Sequence, residues 1–143
     1  MQEQLAAVAE EVGERVLSSP GNSISIAMTL DNLRPTSADT GGPGKEGGLG
    51  GAAARAVTAL GAALWQRRVS GVRVVARGAE AAVAGVPFSG YGSSCQAYPH
   101  DYLTAAAAVG GCAQEVDVFV HKLRAAYVLC RRRQAGGDEK QPP

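Results

Sequence analysis

Two segments of the chain carry clusters of arginine, a side chain suited to binding phosphate or the edge of a guanine base. The first is the stretch WQRRVSGVR at residues 65–73, where Arg67 and Arg68 stand beside a serine hydroxyl and a glycine. The second, at residues 122–133, ends in three consecutive arginines, Arg131, Arg132 and Arg133. A guanidinium group donates two hydrogen bonds to phosphate or to O6 and N7 of guanine. Because the formal net charge is only +1, these local concentrations of positive charge indicate a polyanionic partner.

Two alternatives to a polyanionic partner stay open at this point. The basic segments can be solvated faces of the protein that bind nothing. The arginines of the first segment can also form ion pairs with the acidic N-terminal segment, whose carboxylates are Glu3, Glu10, Glu11 and Glu14.

Groups that could perform catalysis are sparse. His100 and His121 have no partner visible in the sequence, so we expect capping or surface roles, with His100 placed to contact an anion. Cys95, Cys112 and Cys130 fit no zinc spacing and are interpreted as reduced structural thiols. We therefore predict no catalytic residue and no metal site.

Lysine is scarce, which bears on cofactor chemistry. Lys45 lies in a Gly/Pro-rich stretch, Lys140 in the tail and Lys122 on an amphipathic helix. A Schiff-base lysine needs rigid, buried surroundings, and none of these positions supplies them. We expect no cofactor-binding residue in this chain and no pyridoxal-phosphate chemistry from the chain alone.

Hydrophobic spacing predicts the elements that position the basic segments. The predicted helices cover residues 3–17, about 22–33, 53–66, 101–111 and 114–132. In the second helix, Asn22 or Ser23 is the expected N-cap, and Asp101 is expected at the start of the fourth. A β-branched, alternating stretch predicts a strand over 72–76, with its partner strand within 79–89.

The 143 residues suit one domain, and the elements predict an α/β class, an α+β-like small domain with helices packed on a small sheet. The domain is expected to cover 1–133, with a flexible Gly/Pro-rich insertion at 34–52 and a disordered tail at 134–143. No apolar run is long enough for a membrane span, and the N-terminus does not have the pattern of a secretory signal. We therefore expect a cytoplasmic protein without a membrane partner.

Four segments, in order along the chain, resemble O-phosphoseryl-tRNA(Sec) selenium transferase, also called Sep-tRNA:Sec-tRNA synthase. Residues 20–30, PGNSISIAMTL, resemble the family pattern P-x-N-x-I-S-x-A-M-T-L. Residues 67–75, RRVSGVRVV, resemble R-Q-V-S-G-A-R-V-V. Residues 98–106 resemble Y-P-x-x-Y-L-N-A-A, and residues 114–119 resemble Q-D-V-D-L-F. The matches correspond to the C-terminal portion of the family, and Met1 is expected to be an internal methionine or the edge of an incomplete gene model.

The resemblance implies a fold-type I pyridoxal-phosphate architecture and a homotetramer. It implies participation in the conversion of O-phosphoseryl-tRNA(Sec) to selenocysteinyl-tRNA(Sec) with selenophosphate, with selenocysteine tRNA rather than DNA as the nucleic-acid partner. The cofactor lysine of the family lies upstream of the matched region. The resemblance therefore implies pyridoxal 5′-phosphate in the full-length enzyme and none bound by this chain.

The resemblance also assigns RNA contacts to particular arginines. Arg67 matches the arginine that reads the discriminator guanine, and Arg132 matches a basic residue that contacts the acceptor arm. Arg68, Arg131 and Arg133 are candidates for further RNA contacts, and Arg68 stands where the family usually has glutamine.

A stand-alone, non-catalytic fragment is the alternative function. In that case the chain would bind tRNA or associate with full-length protomers through the apolar faces of its first two predicted helices. An independent catalyst would need a site that the sequence does not contain.

Overall fold

The computed structural model describes residues 1–22, 24–35, 51–93, 95–107 and 109–135. Three helices carry most of the apolar packing: α1 at Gln2–Glu11, α2 at Ala52–Gln66 and α3 at Ala113–Ala135. Six strands accompany them: β1 at Val16–Leu17, β2 at Ser25–Thr29, β3 at Val72–Val75, β4 at Glu80–Val83, β5 at Val86–Ser89 and β6 at Tyr102–Ala106. A single 3-10 turn, Asp31–Leu33, follows β2.

A four-stranded sheet in the order β1-β2-β6-β3 forms the centre of the fold, and all its pairings are antiparallel. Met28 and Val74 flank Leu103 on the two sides of β6. The helices cover one face of this sheet. The predicted arrangement of helices packed on a small sheet is therefore confirmed, with the antiparallel pairing giving it α+β character.

The core lies between the sheet and the helices. Its fully buried large side chains come from every layer: Leu5 and Val8 of α1, Met28 of β2, Leu60 and Leu64 of α2, Leu103 of β6, and Leu123 and Tyr127 of α3. Alanine and glycine elsewhere keep the layers close, as at Gly61, where an added Cβ would lie 3.5 Å from the Val74 side chain.

Strands β4 and β5 form a separate hairpin. Ala84 and Gly85 connect them with φ values of 50° and 82°, the left-handed pair that a two-residue hairpin turn requires. Val83, Val86 and Phe88 on this hairpin are each about half exposed. The prediction that residues 79–89 pair with β3 is wrong, because β4 and β5 pair with each other and β3 pairs with β6.

The N-terminal predictions need two corrections. Helix α1 ends at Glu11 rather than at residue 17, because Gly13 adopts a φ of 77° and the chain turns away. The second predicted helix is strand β2 followed by the 3-10 turn. Asn22 does cap, but its Oδ1 accepts from the amides of Ile24 and Ser25 at 3.2 and 2.9 Å, a turn that leads into a strand.

The predicted helix over 101–111 is also wrong. Residues 102–106 form β6, and Leu103 and Ala105 alternate with more exposed neighbours as a half-buried strand requires. The predicted helix at 53–66, the strand at 72–76 and the long last helix are confirmed within a residue or a turn. Most of the predicted insertion and tail, at 36–50 and 136–143, lies outside the described residues.

Candidate nucleic-acid interface

The turn between α2 and β3 places Arg67 and Arg68 at the end of a helix. The amide of Arg68 donates to the carbonyl of Trp65 at 2.9 Å, and the amide of Val69 donates to the carbonyl of Leu64 at 3.0 Å. This is the Schellman pattern of helix termination, in which the residue after the cap adopts a left-handed conformation. Arg68 occupies that position with a φ of 58°. Helix α1 ends in the same pattern, but there the left-handed residue is Gly13.

The two neighbouring arginines have different surroundings. Arg67 is half-buried, and its Nη1 donates to the carbonyl of Ala63 at 3.0 Å, which leaves the rest of the guanidinium available. Arg68 is exposed and makes no side-chain hydrogen bond or ion pair within the described part of the chain. Trp65, the single tryptophan of the chain, is 72% exposed one turn earlier. An exposed aromatic ring beside arginines is a typical feature of nucleic-acid surfaces.

The arginines at the end of α3 are also not equivalent. Arg131 Nη1 donates to the carbonyl of Asn32 at 3.1 Å, so this guanidinium holds α3 to the 3-10 turn. Arg132 and Arg133 are exposed and have no hydrogen bond or ion pair among the described residues. The side chains of Arg132 and Arg133 are thus available to bind an anion.

The fold brings the two basic segments together. Helices α2 and α3, which carry the two segments, pack against each other. Burial raises the pKa of the Cys130 thiol, and the positive charges of Arg133 and Arg67 oppose that rise. The sequence predicted these segments separately, but their common location follows only from the packing.

A groove of about 440 Å³ continues from this surface along α3. Its lining includes Arg68, Ser70 and Gly71 from the α2–β3 turn and Phe119 and Lys122 from α3. Glu115 also lines it, but its Oε2 accepts from the Cys112 amide at 3.0 Å and so caps α3. Sequence reasoning did not select Lys122 or Trp65, although both lie within or beside its basic segments.

The predicted alternative of ion pairs between the first arginine cluster and the acidic N-terminal segment does not occur among the described residues. Glu11 instead pairs with Arg124 of α3 at 2.8 Å. Glu14 is buried, and its carboxylate accepts from Thr29, Asn32 and Tyr127. Among the described residues, Arg67 and Arg68 therefore form no ion pair with these carboxylates.

A second polar cluster lies at the opposite end of β6, where the strand begins, and sequence reasoning missed it. Asp101 is fully buried and accepts two hydrogen bonds from Arg34, at 2.7 and 2.9 Å. His100 Nδ1 lies 2.6 Å from Asp31 Oδ2, and His100 Nε2 lies 2.8 Å from Arg15 Nη2. Since arginine can only donate, His100 Nε2 accepts and Nδ1 carries the proton. Both ring nitrogens of His100 are bonded within this cluster, so His100 is a structural residue here.

The remaining titratable candidates give no catalytic group. His121 is exposed, as predicted, and Lys122 is half-buried on α3. Cys95, Cys112 and Cys130 are free thiols. Across the described ranges there is no cluster of three or more His, Cys, Asp or Glu side chains that could hold a metal ion. Within the same ranges, no helix has the length and apolar character needed to cross a membrane.

A comparison with protein families identifies one match over most of the chain. The model described as "O-phosphoseryl-tRNA(Sec) selenium transferase, SepSecS" matches residues 1–128. The chain belongs to this family.

Two curated relatives of the selenium transferase family align with nearly the whole chain. The O-phosphoseryl-tRNA(Sec) selenium transferase of Caenorhabditis briggsae is 28% identical over 142 residues, covering 99% of this chain and 26% of the relative. That of Caenorhabditis elegans is 28% identical over 141 residues, covering 98% of this chain and 25% of the relative. The chain thus spans about a quarter of the length of these relatives, consistent with the C-terminal portion that its motifs indicate.

The four selenium-transferase motifs occupy related places in the fold. Residues 20–30 include β2, residues 98–106 include β6, and residues 67–75 form the α2–β3 turn and β3. These are three adjacent strands of one sheet, and residues 114–119 begin the helix that packs on it. The family motifs thus coincide with the centre of the domain and with the turn that carries Arg67 and Arg68.

Proposed function

We propose that this chain is the tRNA-binding C-terminal domain of an O-phosphoseryl-tRNA(Sec) selenium transferase, and that it binds and orients the acceptor arm of selenocysteine tRNA. Arg67 reads the discriminator guanine, and Arg132 contacts a backbone phosphate. Arg68 and Arg133 supply further contacts. Arg131 contributes less than its neighbours, because its guanidinium is already bonded to the Asn32 carbonyl.

The observation that carries this proposal is the proximity of the two basic segments. Arg68 of the first segment and Lys122 of the second line one groove, and helices α2 and α3, which carry the two segments, pack against each other. Arg68, Arg132 and Arg133 are exposed and have no protein partner in the described ranges, which favours an anionic ligand over internal ion pairs. A half-buried guanidinium such as that of Arg67 is pre-oriented for bidentate contact with a guanine edge.

The test is binding of acceptor-arm hairpin RNAs that carry each of the four discriminator bases. The intrinsic fluorescence of Trp65 reports binding directly. The unmutated chain should prefer guanine, and Arg67→Ala should lose about 1–3 kcal/mol of binding free energy together with that preference. Arg55→Ala is the matched control, because Arg55 is an exposed arginine in the first turn of the same helix. Equal binding of all four bases by the unmutated chain would refute the role of Arg67.

The whole enzyme's activity rests on more than this domain. We infer that pyridoxal 5′-phosphate serves the full-length protein and is held outside this chain, since Lys122, the only lysine among the described residues, lies half-buried on α3 at the edge of an open groove. The lining of that groove lacks the rigid, enclosed surroundings that favour a lysine linked to the cofactor. The fold-type I architecture, the tetramer and the conversion with selenophosphate are proposals of the same kind.

The domain limits and the location in the cell complete the proposal. We assign residues 1–133 to the folded domain and 134–143 to the tail, although α3 itself continues to Ala135. We propose that the protein is cytoplasmic and that tRNA, rather than DNA or a membrane, is its partner. This location suits a protein that acts on tRNA.

A second candidate function, association with other protomers, is favoured by the β4–β5 hairpin. The apolar side chains once expected to form that contact, such as Leu5 and Leu33, are buried in the domain's own core. The hairpin instead exposes three large apolar side chains, those of Val83, Val86 and Phe88. Light scattering tests this function: tRNA-independent association with full-length protomers that Phe88→Ser abolishes would support it.

A further inference from the structure

The groove beside the α2–β3 turn combines positive charge with apolar surface. Its volume of about 440 Å³ lies within the range of small-ligand sites, and the groove is open to solvent. A cation from each of two elements, Arg68 of the turn and Lys122 of α3, lines it. Small and apolar residues, including Ala106, Val116 and Phe119, form much of the remaining surface. Positive charge combined with an aromatic ring is the arrangement that holds unpaired nucleotides.

We propose that this groove binds an unpaired nucleotide at the single-stranded 3′ end of the RNA, with Arg68 and Lys122 holding its phosphates and Phe119 contacting its base. The inference rests on the proposed function, since Arg67, which is proposed to read the discriminator base, is the immediate neighbour of Arg68 in the chain.

The charges around the groove permit this occupant. Glu115 is the one carboxylate among its lining residues, and it is bonded to the backbone amide of Cys112 at 3.0 Å. The side chains of Arg68 and Lys122 have no hydrogen bond or ion pair with any residue in the described ranges. The Ser70 hydroxyl, which is exposed beside Gly71 at the same edge, offers a further donor to phosphate or ribose.

The experiment compares two hairpin RNAs of the acceptor arm, one with its single-stranded 3′ end and one blunt. The full 143-residue chain should bind the tailed RNA more tightly. Lys122→Gln should weaken binding of the tailed RNA about tenfold and change binding of the blunt RNA less than about twofold. Arg55→Gln, which removes the same charge from α2 outside the groove, should affect both RNAs equally and weakly. Lys122→Arg should restore most of the preference.

The outcomes separate the two levels of the proposal. If the unmutated chain binds neither RNA, the proposed function fails and this inference fails with it. If it binds both RNAs equally, or if Lys122→Gln and Arg55→Gln behave alike, only the groove assignment is overturned. An unchanged melting temperature of Lys122→Gln verifies that the substitution leaves the fold intact.

A photocrosslink gives an independent readout. With 4-thiouridine in the 3′ tail, the crosslinked peptide should include Phe119 or Lys122. Crosslinks confined to residues 131–133 would place the tail elsewhere and would contradict the inference.

Discussion

The Tyr127 hydroxyl donates a 2.7 Å hydrogen bond to Glu14 Oε1 and so ties α3 to the segment that follows α1. The other carboxylate oxygen of Glu14 accepts from the Thr29 hydroxyl at 2.6 Å. The amide of Asn32 also donates to Oε1, at 2.8 Å. A single buried carboxylate, on the segment that follows α1, therefore bonds to β2, the 3-10 turn and α3. Its bond to α3 is made by Tyr127, one turn before the arginines at the end of that helix.

Tyr127→Phe should lower the free energy of unfolding by about 1.5–3 kcal/mol, because a hydrogen bond to a buried carboxylate is lost while the ring remains. Urea denaturation followed by circular dichroism measures this change. Tyr91→Phe is the control, since Tyr91 is 45% exposed and its substitution should have little effect. Equal stability of Tyr127→Phe and the unmutated chain would contradict the role of this bond.

Stability should fall as the pH rises through the alkaline range. Burial, followed by the hydrogen bond to Glu14, raises the pKa of Tyr127 above its ordinary value of 10.0. A group with a raised folded-state pKa stabilises the fold below its unfolded pKa, and that contribution is lost as the pH rises further. Burial raises the pKa values of Cys130 and Tyr102 as well, which adds to the effect.

The contribution of Tyr127 to this pH dependence is the difference in stability between the unmutated chain and Tyr127→Phe. Above pH about 10, the unmutated chain should lose stability more steeply than Tyr127→Phe, by up to about 1.4 kcal/mol per pH unit. Urea midpoints across this pH range measure the two slopes. Parallel slopes would mean that Tyr127 titrates alike in the folded and unfolded states.

Asp101→Asn should destabilise the protein by about 3 kcal/mol or more. The substitution removes the charge of a fully buried carboxylate that accepts two hydrogen bonds from Arg34 and one from the Arg77 amide, and loss of one charge of such a pair is costly. Asp31→Asn, at a site that is 33% exposed, should cost clearly less. Thermal unfolding of both variants measures the contrast, and a reversed order would contradict it.

Arg68→Gly and Arg68→Ala should separate backbone strain from charge. Glycine relieves the left-handed conformation at residue 68 and should stabilise the chain by about 1 kcal/mol, whereas alanine keeps a Cβ and should not. Both variants remove the same charge, so both should weaken RNA binding to a similar extent. If only one of them loses RNA affinity, the side chain of Arg68 is not the contact.

Arg132→Ala should reduce affinity for any tRNA and lessen the salt dependence of binding. A phosphate contact releases a counterion, so its loss decreases the slope of log affinity against log salt by about 0.7–0.9. Arg131→Ala should change that slope less, because Arg131 is bonded to the Asn32 carbonyl. Fluorescence titrations at several salt concentrations measure both, and an unchanged slope for Arg132→Ala would argue against a phosphate contact.

The helices that could be predicted from the sequence are those whose apolar residues repeat over several turns. Helix α3 presents Val120, Leu123, Tyr127 and Cys130 on its buried face, and no strand matches that spacing. The spacing of Ile26, Leu30 and Leu33 also fits a helical repeat, so it predicts a helix where strand β2 forms. Their burial has two sources, since Ile26 faces inward from the strand and Leu33 from the 3-10 turn. The alternation of Ile26 and Met28 with more exposed neighbours is the pattern that would have predicted a strand.

The site is predictable only in part, for a different reason. A run of arginines is visible in the sequence, so Arg67, Arg68 and Arg132 could be named. Their environment depends on contacts between distant segments, as when Arg68 and Lys122 line the same groove. Likewise Asp101 looked suited to begin a helix, because its partner Arg34 is far away in the chain.

The position of β6 between β2 and β3 has a consequence for synthesis on the ribosome. Before residues 102–106 have been translated, β3 has no partner strand and β2 has only the two-residue β1. The apolar side chains of Ile26, Met28 and Val75 are then exposed on a nascent chain whose sheet cannot close. A polypeptide that ends before residue 102 should therefore be prone to aggregation and require chaperones, because this sheet cannot form.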